Sequence, residues 1–403
     1  MRIGFIVGQF PSLSETFVIG QMAGLLHRGF EVDVVCNGIS DYNFADRRQE
    51  PLATLLARTR DWWGAAGRTR PVIERLPAKL RDKVSTALDM SSVARLNECD
   101  VLVAHFGHNG ARAARLKKWK RLKPPIVTIF HGYDVGVPLY ERGLGRYNDL
   151  FEYGALNLTV NGFFRRVLVE AGAPEAKVAV HHMGIDLKKI PYAWKSWRGS
   201  PLQLISVCRL AEKKGVEYAL RALARLRAVA PELAWHYTII GDGPLRQPLE
   251  ALASELGIAE QVSFLGSLAH QDVKEWLRRS HAFVLPSVTA RNGDVEGIPV
   301  ALMEAMAAGL TVVSSNHSGI PELIEDQKTG FLADERDVET LASRLRFVAE
   351  HPEQCEDVAL QARKKVEAEF DMAALDNDFA EIVSRIARAE GDRATSASIA
   401  LTR

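Results

Sequence analysis

Residues 294–309 read DVEGIPVALMEAMAAG, and this stretch is the most informative part of the chain. Pro299 suits the first turn of a helix, where its missing N–H is harmless. Gly309 suits the position that follows a helix end, because glycine adopts the left-handed conformation easily. The stretch therefore predicts a helix between these two residues, with Glu304 on it and Glu296 just before it.

Short β-rich runs alternate with helical patterns on both sides of this helix, in two series separated by residues 191–201. Such alternation predicts βαβ units and mostly parallel sheets. The separating stretch is polar and aromatic and is bracketed by two prolines, which is typical of a linker. The predicted strands are 2–8, 31–36, 100–105, 126–130, 155–160 and 178–182 in the first series, and 202–207, 235–240, 262–265, 282–285 and 310–314 in the second.

The sequence thus predicts an α/β fold of two Rossmann-like domains that face each other across a cleft. The first domain is predicted to span residues 1–190 and the second residues 201–370, with a mostly helical region after Gly330. Ligands of such sheets bind at the carboxyl ends of the strands. Polar residues that follow strand ends are therefore the first candidates for a site.

The composition is typical of a globular protein, and the charges are distributed unevenly along the chain. Of 403 residues, 47% are hydrophobic and 25% charged, and the net charge is +1. Residues 1–200 carry 29 Lys and Arg against 19 Asp and Glu, whereas residues 201–403 carry 22 against 31. A dedicated nucleic-acid binder usually has a strongly basic domain, so no nucleic-acid partner is expected.

The chain start and the cysteines favour a cytoplasmic protein. Residues 2–15 are too polar for a secretory signal peptide, and no stretch reaches 18 apolar residues, so no transmembrane helix is expected. The cysteines are far apart and form no CxxC pattern, which argues against a disulfide framework or a metal site. They are Cys36, Cys99, Cys208 and Cys355.

Two common nucleotide-binding motifs are missing. A dinucleotide site needs GxGxxG between the first strand and the first helix, but residues 8–12 read GQFPS. The turn at residues 241–244, GDGP, lacks the third glycine, and no GxxxxGK[ST] occurs. Nicotinamide and P-loop chemistry are therefore disfavoured.

The spacing of Glu296 and Glu304 admits two interpretations. Eight residues of helical rise span about 12 Å, roughly the length from the hexose to the ribose of a nucleotide sugar, and free N–H groups at a helix start suit a diphosphate. The alternative is a pair of solvated surface glutamates with an incidental spacing.

Ordered motifs over nearly the whole chain carry a resemblance to a known family. They are GQFPSLSETF at 8–17, FHGYD at 130–134, GID at 184–186, VCRLAEKKG at 207–215, GDGP at 241–244, FLGSL at 264–268, EGIPVALMEAMAAG at 296–309, GIPE at 319–322 and TGFL at 329–332. Together they resemble retaining glycosyltransferases of family four, and the two N-terminal segments resemble its colanic-acid type, which makes bacterial exopolysaccharide. The resemblance implies the GT-B fold, in which a C-terminal helix, here at about 371–391, crosses back to the first domain.

The resemblance implies a donor site in the second domain. Arg209 and Lys214 would grip the donor diphosphate, with Lys213 as the alternative to Lys214, because fixed cations stabilise the charge on the departing phosphate. Glu304 would accept hydrogen bonds from ribose hydroxyls, and Glu296 would lie near the sugar hydroxyls. Further donor-binding positions are Gly8, where glycine permits close approach, and Gly243, Leu268, Gly297 and Ile298.

In the first domain, His131 is implied to contact the donor sugar and to help polarise the reacting centre. The catalytic set is therefore His131, Glu296, Arg209 and Lys214. Family members need no bound divalent metal, so neither a metal nor another cofactor is expected.

Other polar residues of the first domain have weaker assignments. Acceptor contacts are expected from Ser14, Glu15 and Asp134, although Asp134 equally suits a turn or helix N-cap and residues 12–15 suit a capping box. Four further histidines are interpreted as structural, and they are His105, His108, His181 and His182.

Two basic segments, residues 58–83 and 112–123, contain Trp62, Trp63 and Trp119. Basic faces with tryptophan are typical of membrane-surface elements, and a solvated helix face is the alternative. We therefore expect contact with an anionic membrane and peripheral association with the inner face of the cytoplasmic membrane.

The expected reaction is transfer of a hexose from a nucleotide sugar, with UDP favoured over GDP. The acceptor is expected to be a lipid-linked saccharide or an oligosaccharide in bacterial exopolysaccharide biosynthesis, and the anomeric configuration is expected to be retained. The alternatives are a GDP-sugar-dependent mannosyltransferase, a nucleotide-sugar 2-epimerase and a non-catalytic sugar-nucleotide-binding protein.

Overall fold

Two parallel β-sheets follow each other along the chain in the computed structural model, which describes residues 1–12, 16–40 and 50–400. The first sheet has the strand order β3-β2-β1-β4-β5-β6-β7, and the second has the order β10-β9-β8-β11-β12-β13. The strands are β1 (Arg2–Phe10), β2 (Glu31–Ile39), β3 (Thr59–Asp61), β4 (Val101–His105), β5 (Ile126–Phe130), β6 (Leu156–Thr159), β7 (Val178–Val180), β8 (Leu202–Val207), β9 (Trp235–Ile240), β10 (Val262–Gly266), β11 (Ala282–Leu285), β12 (Thr311–Ser315) and β13 (Phe331–Ala333).

Helices connect the strands and cover the sheets. Every residue of β4 and of β5 is buried, so both faces of the first sheet are covered there, which explains the continuous apolar runs of these strands. The described α-helices are α1 (Thr16–His27), α2 (Leu52–Ala57), α3 (Arg70–Ile73), α4 (Ala78–Asp89), α5 (Val93–Leu96), α6 (Gly107–Lys118), α7 (Tyr133–Arg142), α8 (Asn148–Tyr153), α9 (Gly162–Glu170), α10 (Val216–Val229), α11 (Arg246–Glu255), α12 (His270–Arg279), α13 (Val300–Ala308), α14 (Ile320–Leu323), α15 (Val338–Glu350), α16 (Pro352–Glu369) and α17 (Met372–Ala400).

The prediction of two Rossmann-like domains is confirmed, and each predicted strand overlaps a strand of the structure. Strands β3 and β13 were not predicted from the sequence. Each has only three residues and lies at the edge of its sheet, so neither leaves a hydrophobic pattern long enough to recognise.

The strand order reverses between β1 and β4 in the first sheet and between β8 and β11 in the second. Such a reversal opens a crevice at the carboxyl ends of the strands. His131 follows β5 and Arg209 follows β8, so both lie at carboxyl edges of their sheets. The fold therefore places the two predicted walls of the site where a ligand crevice forms.

The C-terminal helix α17 returns to the first domain, as the resemblance implies. Phe379 and Val383 are fully buried in the core of the first sheet. Arg28, directly after α1, donates to the carbonyl oxygen of Ala373 at 2.8 Å. A Cβ on Gly24 would lie 2.1 Å from a carboxylate oxygen of Asp376, so glycine permits this close approach of α1 and α17. The crossing thus joins the two ends of the chain in one core.

Within the described part of the chain, the helices are all too short or too polar to cross a bilayer.

Candidate active site

A cleft of about 310 Å³ opens between the two domains. The wall from the first domain includes His131 and Phe17, and the wall from the second includes Lys214, Glu296 and the start of α13. Five residues predicted as catalytic or donor-binding therefore share one cleft, and they are His131, Lys214, Glu296, Gly297 and Ile298.

The floor of the cleft is a network of opposite charges. Glu296 is 6% exposed, and its Oε1 lies 2.9 Å from Nζ of Lys214. Nζ of Lys213 lies 3.0 Å from a carboxylate oxygen of Asp294 and 3.9 Å from Glu296. Both lysines that were predicted as alternative diphosphate ligands therefore belong to the site, and Lys214 forms the shorter ion pair with Glu296.

Burial and charge act in opposite directions on this pair. Burial alone would raise the pKa of Glu296, but the charges of Lys214 and Lys213 outweigh it and hold that pKa below its ordinary value. Burial alone would lower the pKa of Lys214, but Glu296 outweighs it and raises that pKa. Both groups are therefore charged near neutral pH, and the charged Lys214 is the one that suits an anion.

Arg209 leaves β8 next to this pair and is exposed. It is close enough to Lys214 to lower the pKa of that ammonium, although Glu296 outweighs this effect. Among the residues that the structure describes, Arg209 has no carboxylate partner. Its charge is therefore available to a ligand phosphate.

Glycines hold the loops that carry these cations. Gly215 has φ +65°, and a Cβ there would lie 1.8 Å from the carbonyl oxygen of Pro286. A Cβ on Gly243 would lie 2.4 Å from the carbonyl oxygen of Leu210. The glycine after Lys214 therefore lets its loop pack on the strand end of β11. Gly243 supports the backbone next to Arg209, and its contact with the donor stays a prediction.

Two residues that the sequence analysis missed hold the backbone of Glu296. Its N–H donates to Nε2 of His317 at 3.0 Å, and its carbonyl oxygen accepts from Oγ of Ser318 at 2.6 Å. His317 is 1% exposed, and its Nδ1 lies 2.6 Å from Glu335. Because Nε2 accepts a hydrogen bond, the ring proton is on Nδ1 and is donated to Glu335.

Glu335 also accepts from the N–H and the hydroxyl of Thr289, at 2.8 and 3.1 Å. Thr289 bonds this carboxylate directly, and the Glu296 N–H is joined to it through His317. Both ends of the loop from Thr289 to Glu296 are therefore held by one carboxylate. In the sequence, His317 and Ser318 come directly before the family motif at 319–322. Their distance along the chain from Glu296 gave no reason to predict that they contact its backbone.

Glu304 lies on α13 and faces a smaller cavity of about 50 Å³. This cavity is also lined by Lys189, His270 and Lys274. Burial raises the pKa of Glu304, against the charge of Lys274. The two glutamates of the motif therefore line different cavities, with Glu296 before the first residue of α13 and Glu304 within the helix.

His131 is held from two directions. Its backbone N–H donates to Oδ1 of Asp134 at 3.0 Å, and its ring Nε2 lies 3.0 Å from Nδ1 of His105. Burial lowers the pKa of His131 to about 4, with Asp134 acting against it. His131 is therefore neutral near pH 7. His105, interpreted from the sequence as structural, contacts the predicted catalytic histidine directly.

Asp134 was predicted to contact the acceptor, and this prediction is wrong. Asp134 is 2% exposed. Its Oδ1 accepts from the N–H groups of His131 and Gly132 at 3.0 Å, and its Oδ2 accepts from Gly107 N–H at 2.7 Å. The carboxylate joins the loops after β4 and β5, which is the turn role that the sequence left open.

The other predicted positions have mixed outcomes. Ser14 and Glu15 lie outside the described residues, so the capping box at 12–15 does too. Gly8 lies within β1, and a Cβ there would meet no atom within 4 Å, so the space beside it is open. Leu268 is half-buried in the loop between β10 and α12.

Backbone contacts between the domains frame the cleft. A Cβ on Gly136 of α7 would lie 2.3 Å from the carbonyl oxygen of Gly293, and one on Gly297 would lie 3.2 Å from that of His131. The loop that carries Glu296 therefore packs directly against the first domain.

A second contact between the domains involves Glu322. Its carboxylate accepts from the N–H of Gly162, at the start of α9, at 2.8 Å, and lies 3.1 Å from Nε2 of His182. His182, interpreted as structural, thus belongs to the domain interface.

The tryptophans of the first basic segment do not face solvent. Trp62 and Trp63 are 0% and 7% exposed. The guanidinium of Arg112, from the second segment, lies over the Trp62 ring at 4.2 Å and hydrogen-bonds Asp89. These three residues were predicted to face a membrane, and that prediction is wrong because they pack together inside the domain.

The remainder of the second basic segment lies far from the cleft. α6 starts at the carboxyl edge of the sheet and runs back, so residues 119–123 precede β5 at the opposite edge. Trp119 is exposed there, and the backbone of Arg121 accepts from Asn97, just before β4.

Comparison with known proteins agrees with this geometry. Residues 14–189 match the family described as "Glycosyltransferase Family 4" and residues 194–365 the one described as "Glycosyl transferases group 1". The putative colanic acid biosynthesis glycosyltransferase WcaL of Escherichia coli K12 is 34% identical, over 96% of this chain and all of that protein. The amylovoran biosynthesis glycosyltransferase AmsK of Erwinia amylovora gives the same identity and coverage.

Among solved structures, Anabaena Alr3699/HepE in complex with UDP-glucose has a TM-score of 0.73 at 18% identity, over 96% of this chain and all of that one. This likeness agrees with the GT-B fold. The prediction that the protein is a glycosyltransferase is confirmed: the chain belongs to the family 4 glycosyltransferases.

Proposed function

We propose that the protein transfers a hexose from a UDP-sugar to a lipid-linked saccharide or an oligosaccharide in bacterial exopolysaccharide biosynthesis. The observation that carries the proposal is the cleft itself. One wall combines the cation Lys214 with a helix N-terminus and a buried carboxylate, and the other wall has a neutral histidine. Arg209 adds a second cation near Lys214. The names of WcaL and AmsK support exopolysaccharide as the product, and the UDP-glucose complex of Anabaena HepE supports the donor class.

The cations have a defined task in such a transfer. When the bond from the sugar to the nucleotide breaks, negative charge develops on the departing phosphate. Arg209, which is without a protein counter-ion in the described chain, and Lys214, fixed by Glu296, would stabilise that charge together with the N–H groups at the start of α13. Because these groups are already placed, no divalent metal is needed for the task, and we propose that none is used.

We also propose retention of the anomeric configuration. A double-displacement mechanism needs a carboxylate nucleophile about 5 Å from the acid, on the other face of the sugar. Of the described residues that line the cleft, those from the first domain are Phe17, His131, Val160 and Met183, and they include no carboxylate. Front-face substitution, in which the departing phosphate takes the acceptor proton, fits this wall.

For membrane contact we propose the excursion formed by residues 64–88. Both of its ends are anchored at the carboxyl edge of the first sheet, because Nε1 of Trp63 donates to Asp89 at 2.8 Å and Ser92 donates to the carbonyl oxygen of Trp62. Its surface exposes Val72 and Leu80, at 66% and 48%. Basic side chains beside them, including Arg75 and Arg81, are exposed too, as anionic lipid contact requires.

The direct test is to incubate the purified protein with UDP-glucose, UDP-galactose and GDP-mannose, with and without EDTA, and to follow nucleotide release. We expect slow donor hydrolysis with one UDP-sugar, undiminished by EDTA, and a sugar product with the donor's anomeric configuration by NMR. Release from GDP-mannose alone would favour the mannosyltransferase alternative. Conversion of the donor to its 2-epimer would favour the epimerase and contradict the proposal.

A further inference from the structure

We propose that His105 is a positioning residue that fixes the proton of the His131 ring on Nδ1, so that His131 presents a neutral N–H donor to the donor sugar. The role of this donor rests on the proposed function. The position of the proton rests on the geometry alone.

The two rings belong to adjacent strands. His105 is the last residue of β4, His131 directly follows β5, and these strands pair with His105 opposite Ile129. Nδ1 of His105 lies 3.0 Å from Nε2 of His131, and the ring planes are within 13° of each other. A separation of 3.0 Å between ring nitrogens requires a hydrogen bond, so one nitrogen carries a proton and the other is bare.

The surroundings of His105 decide which nitrogen carries it. His105 is fully buried, and its other nitrogen, Nε2, has no hydrogen-bond partner among the described residues. Its ring neighbours are Phe5 and Phe17, with ring centroids at 5.8 and 6.4 Å. If His105 accepted the bond, its own proton would sit on Nε2 as a buried N–H without an acceptor, which proteins rarely tolerate. His105 therefore donates from Nδ1, and its bare Nε2 faces the aromatic rings.

The tautomer of His131 follows from that of His105. Its Nε2 accepts from His105, so a neutral His131 ring carries its proton on Nδ1. Burial lowers the pKa of both histidines, that of His131 to about 4, so a second proton is not added near neutral pH. In the part of the chain that the structure describes, Nδ1 of His131 has no protein hydrogen-bond partner.

The ring of His131 is also confined on its faces. Phe17 and Phe106 approach it with centroid distances of 4.9 and 4.7 Å. Phe106 has a φ of +69°, an unfavourable backbone conformation for a residue with a side chain. Asp134 holds both the Gly107 N–H after Phe106 and the His131 N–H. The ring can therefore rotate little. The property of His131 that can still vary is its tautomer, and the hydrogen bond from His105 determines it.

A fixed N–H donor has a specific use in glycosyl transfer. It can donate to a hydroxyl or ring oxygen of the donor sugar without giving up its proton, so the proton count of the reaction is unchanged. An imidazole with the opposite tautomer would present a lone pair at the same place, which can accept from a sugar hydroxyl but cannot donate to the ring oxygen. His105 thereby acts on the reaction through His131 and touches no substrate itself.

The test combines a spectroscopic readout with kinetics. In protein labelled with ¹⁵N-histidine, the His131 signals, assigned by their loss in His131→Gln, are expected to report a proton on Nδ1 at pH 7. His105→Phe, which removes the donor, is expected to shift His131 toward the Nε2–H tautomer. It is also expected to lower kcat for donor hydrolysis about tenfold to a hundredfold, while UDP binding is unchanged. His105→Asn, whose amide N–H can replace Nδ1–H, is expected to keep the tautomer and most of kcat.

A wild-type His131 that carries its proton on Nε2, or a His105→Phe variant with an unchanged tautomer, would overturn the proposal. So would a His105→Asn variant as impaired as His105→Phe while it keeps the tautomer. A fixed Nδ1–H tautomer in a protein that turns over no nucleotide sugar would leave the histidine pair supported and would refute the proposed function instead.

Discussion

Nζ of Lys214 lies 2.9 Å from Oε1 of Glu296, and both side chains are shielded from solvent. A buried pair of this kind is costly to break from one side, because the remaining charge loses its partner. It also holds a cation at the start of α13, where a phosphate would bind. Stability and ligand binding therefore depend on the same contact and are separable only by changing both partners.

Changing one partner and then both should separate these roles. Lys214→Met is expected to lower the free energy of unfolding by about 3 kcal/mol, because it leaves the Glu296 carboxylate buried with only the more distant Lys213 as a counter-ion. The double variant Lys214→Met/Glu296→Gln should regain much of that loss and still fail to bind UDP. Urea unfolding and calorimetric titration measure the two quantities. A double variant that is as unstable as the sum of the single variants would contradict the coupling.

Glu335 predicts a pH dependence of stability. Burial alone would raise the pKa of Glu335, but the hydrogen bonds from His317 and Thr289 outweigh burial and lower that pKa from 4.5 to about 2. A pKa that is depressed in the folded state stabilises the protein above the unfolded value, and this contribution disappears as the pH falls through the folded value.

Glu335→Gln should therefore be less stable than the wild type at pH 7, and the difference should shrink as the pH falls from 4.5 toward about 2. Urea unfolding from pH 7 to 3.5 measures it. Glu217→Gln, which removes an exposed ion pair with Arg221, is the control and should change little. A constant difference across the pH range would contradict the role given to Glu335.

Gly136 tests the contact between α7 and the loop that carries Glu296. Gly→Ala inside a helix normally stabilises by about 1 kcal/mol, but a Cβ at Gly136 would lie 2.3 Å from the carbonyl oxygen of Gly293. Gly136→Ala is therefore expected to displace the loop and to weaken UDP binding. Gly145→Ala, where a Cβ meets no atom within 4 Å, is the control. Equal UDP affinity in both variants would show that the contact does not position the loop.

The excursion at residues 64–88 predicts which surface binds lipid. Val72→Glu/Leu80→Glu should reduce co-sedimentation with anionic vesicles severalfold, because it replaces apolar contact with like charge. Lys120→Gln/Arg121→Gln, at the opposite edge of the sheet, lowers the net charge by the same two units and should reduce co-sedimentation less. The reverse order would place the membrane on the edge away from the cleft.

The alternation of strands and helices was enough to predict two Rossmann-like domains, because covered parallel strands must be apolar along their length. The motifs placed Lys214, Glu296 and His131 at one cleft, since each follows a strand end or begins a helix. Pairings between distant segments were beyond the sequence. His317 lies 21 residues after Glu296 along the chain, yet its ring accepts the Glu296 N–H, and no local pattern marks such a contact.

Trp62 and Arg112 illustrate the opposite error. A basic segment with tryptophan has the composition of a membrane-surface element, but composition does not reveal which face a side chain occupies. Arg112 lies over the buried Trp62 ring, from a helix 50 residues later in the chain. Such stacking depends on how α6 packs on the first sheet, which only the tertiary structure provides.

The most direct test of the central claim, that this cleft holds a nucleotide-sugar donor, is calorimetric titration of the purified protein with UDP. We expect binding by the wild type, and at least about tenfold weaker binding by Arg209→Met and by Glu304→Ala, since each removes one charge-assisted contact. Arg225→Met, which loses only an exposed ion pair with Glu339, should bind like the wild type. Binding of UDP that is equally strong in all four proteins, or absent in the wild type, would contradict the account.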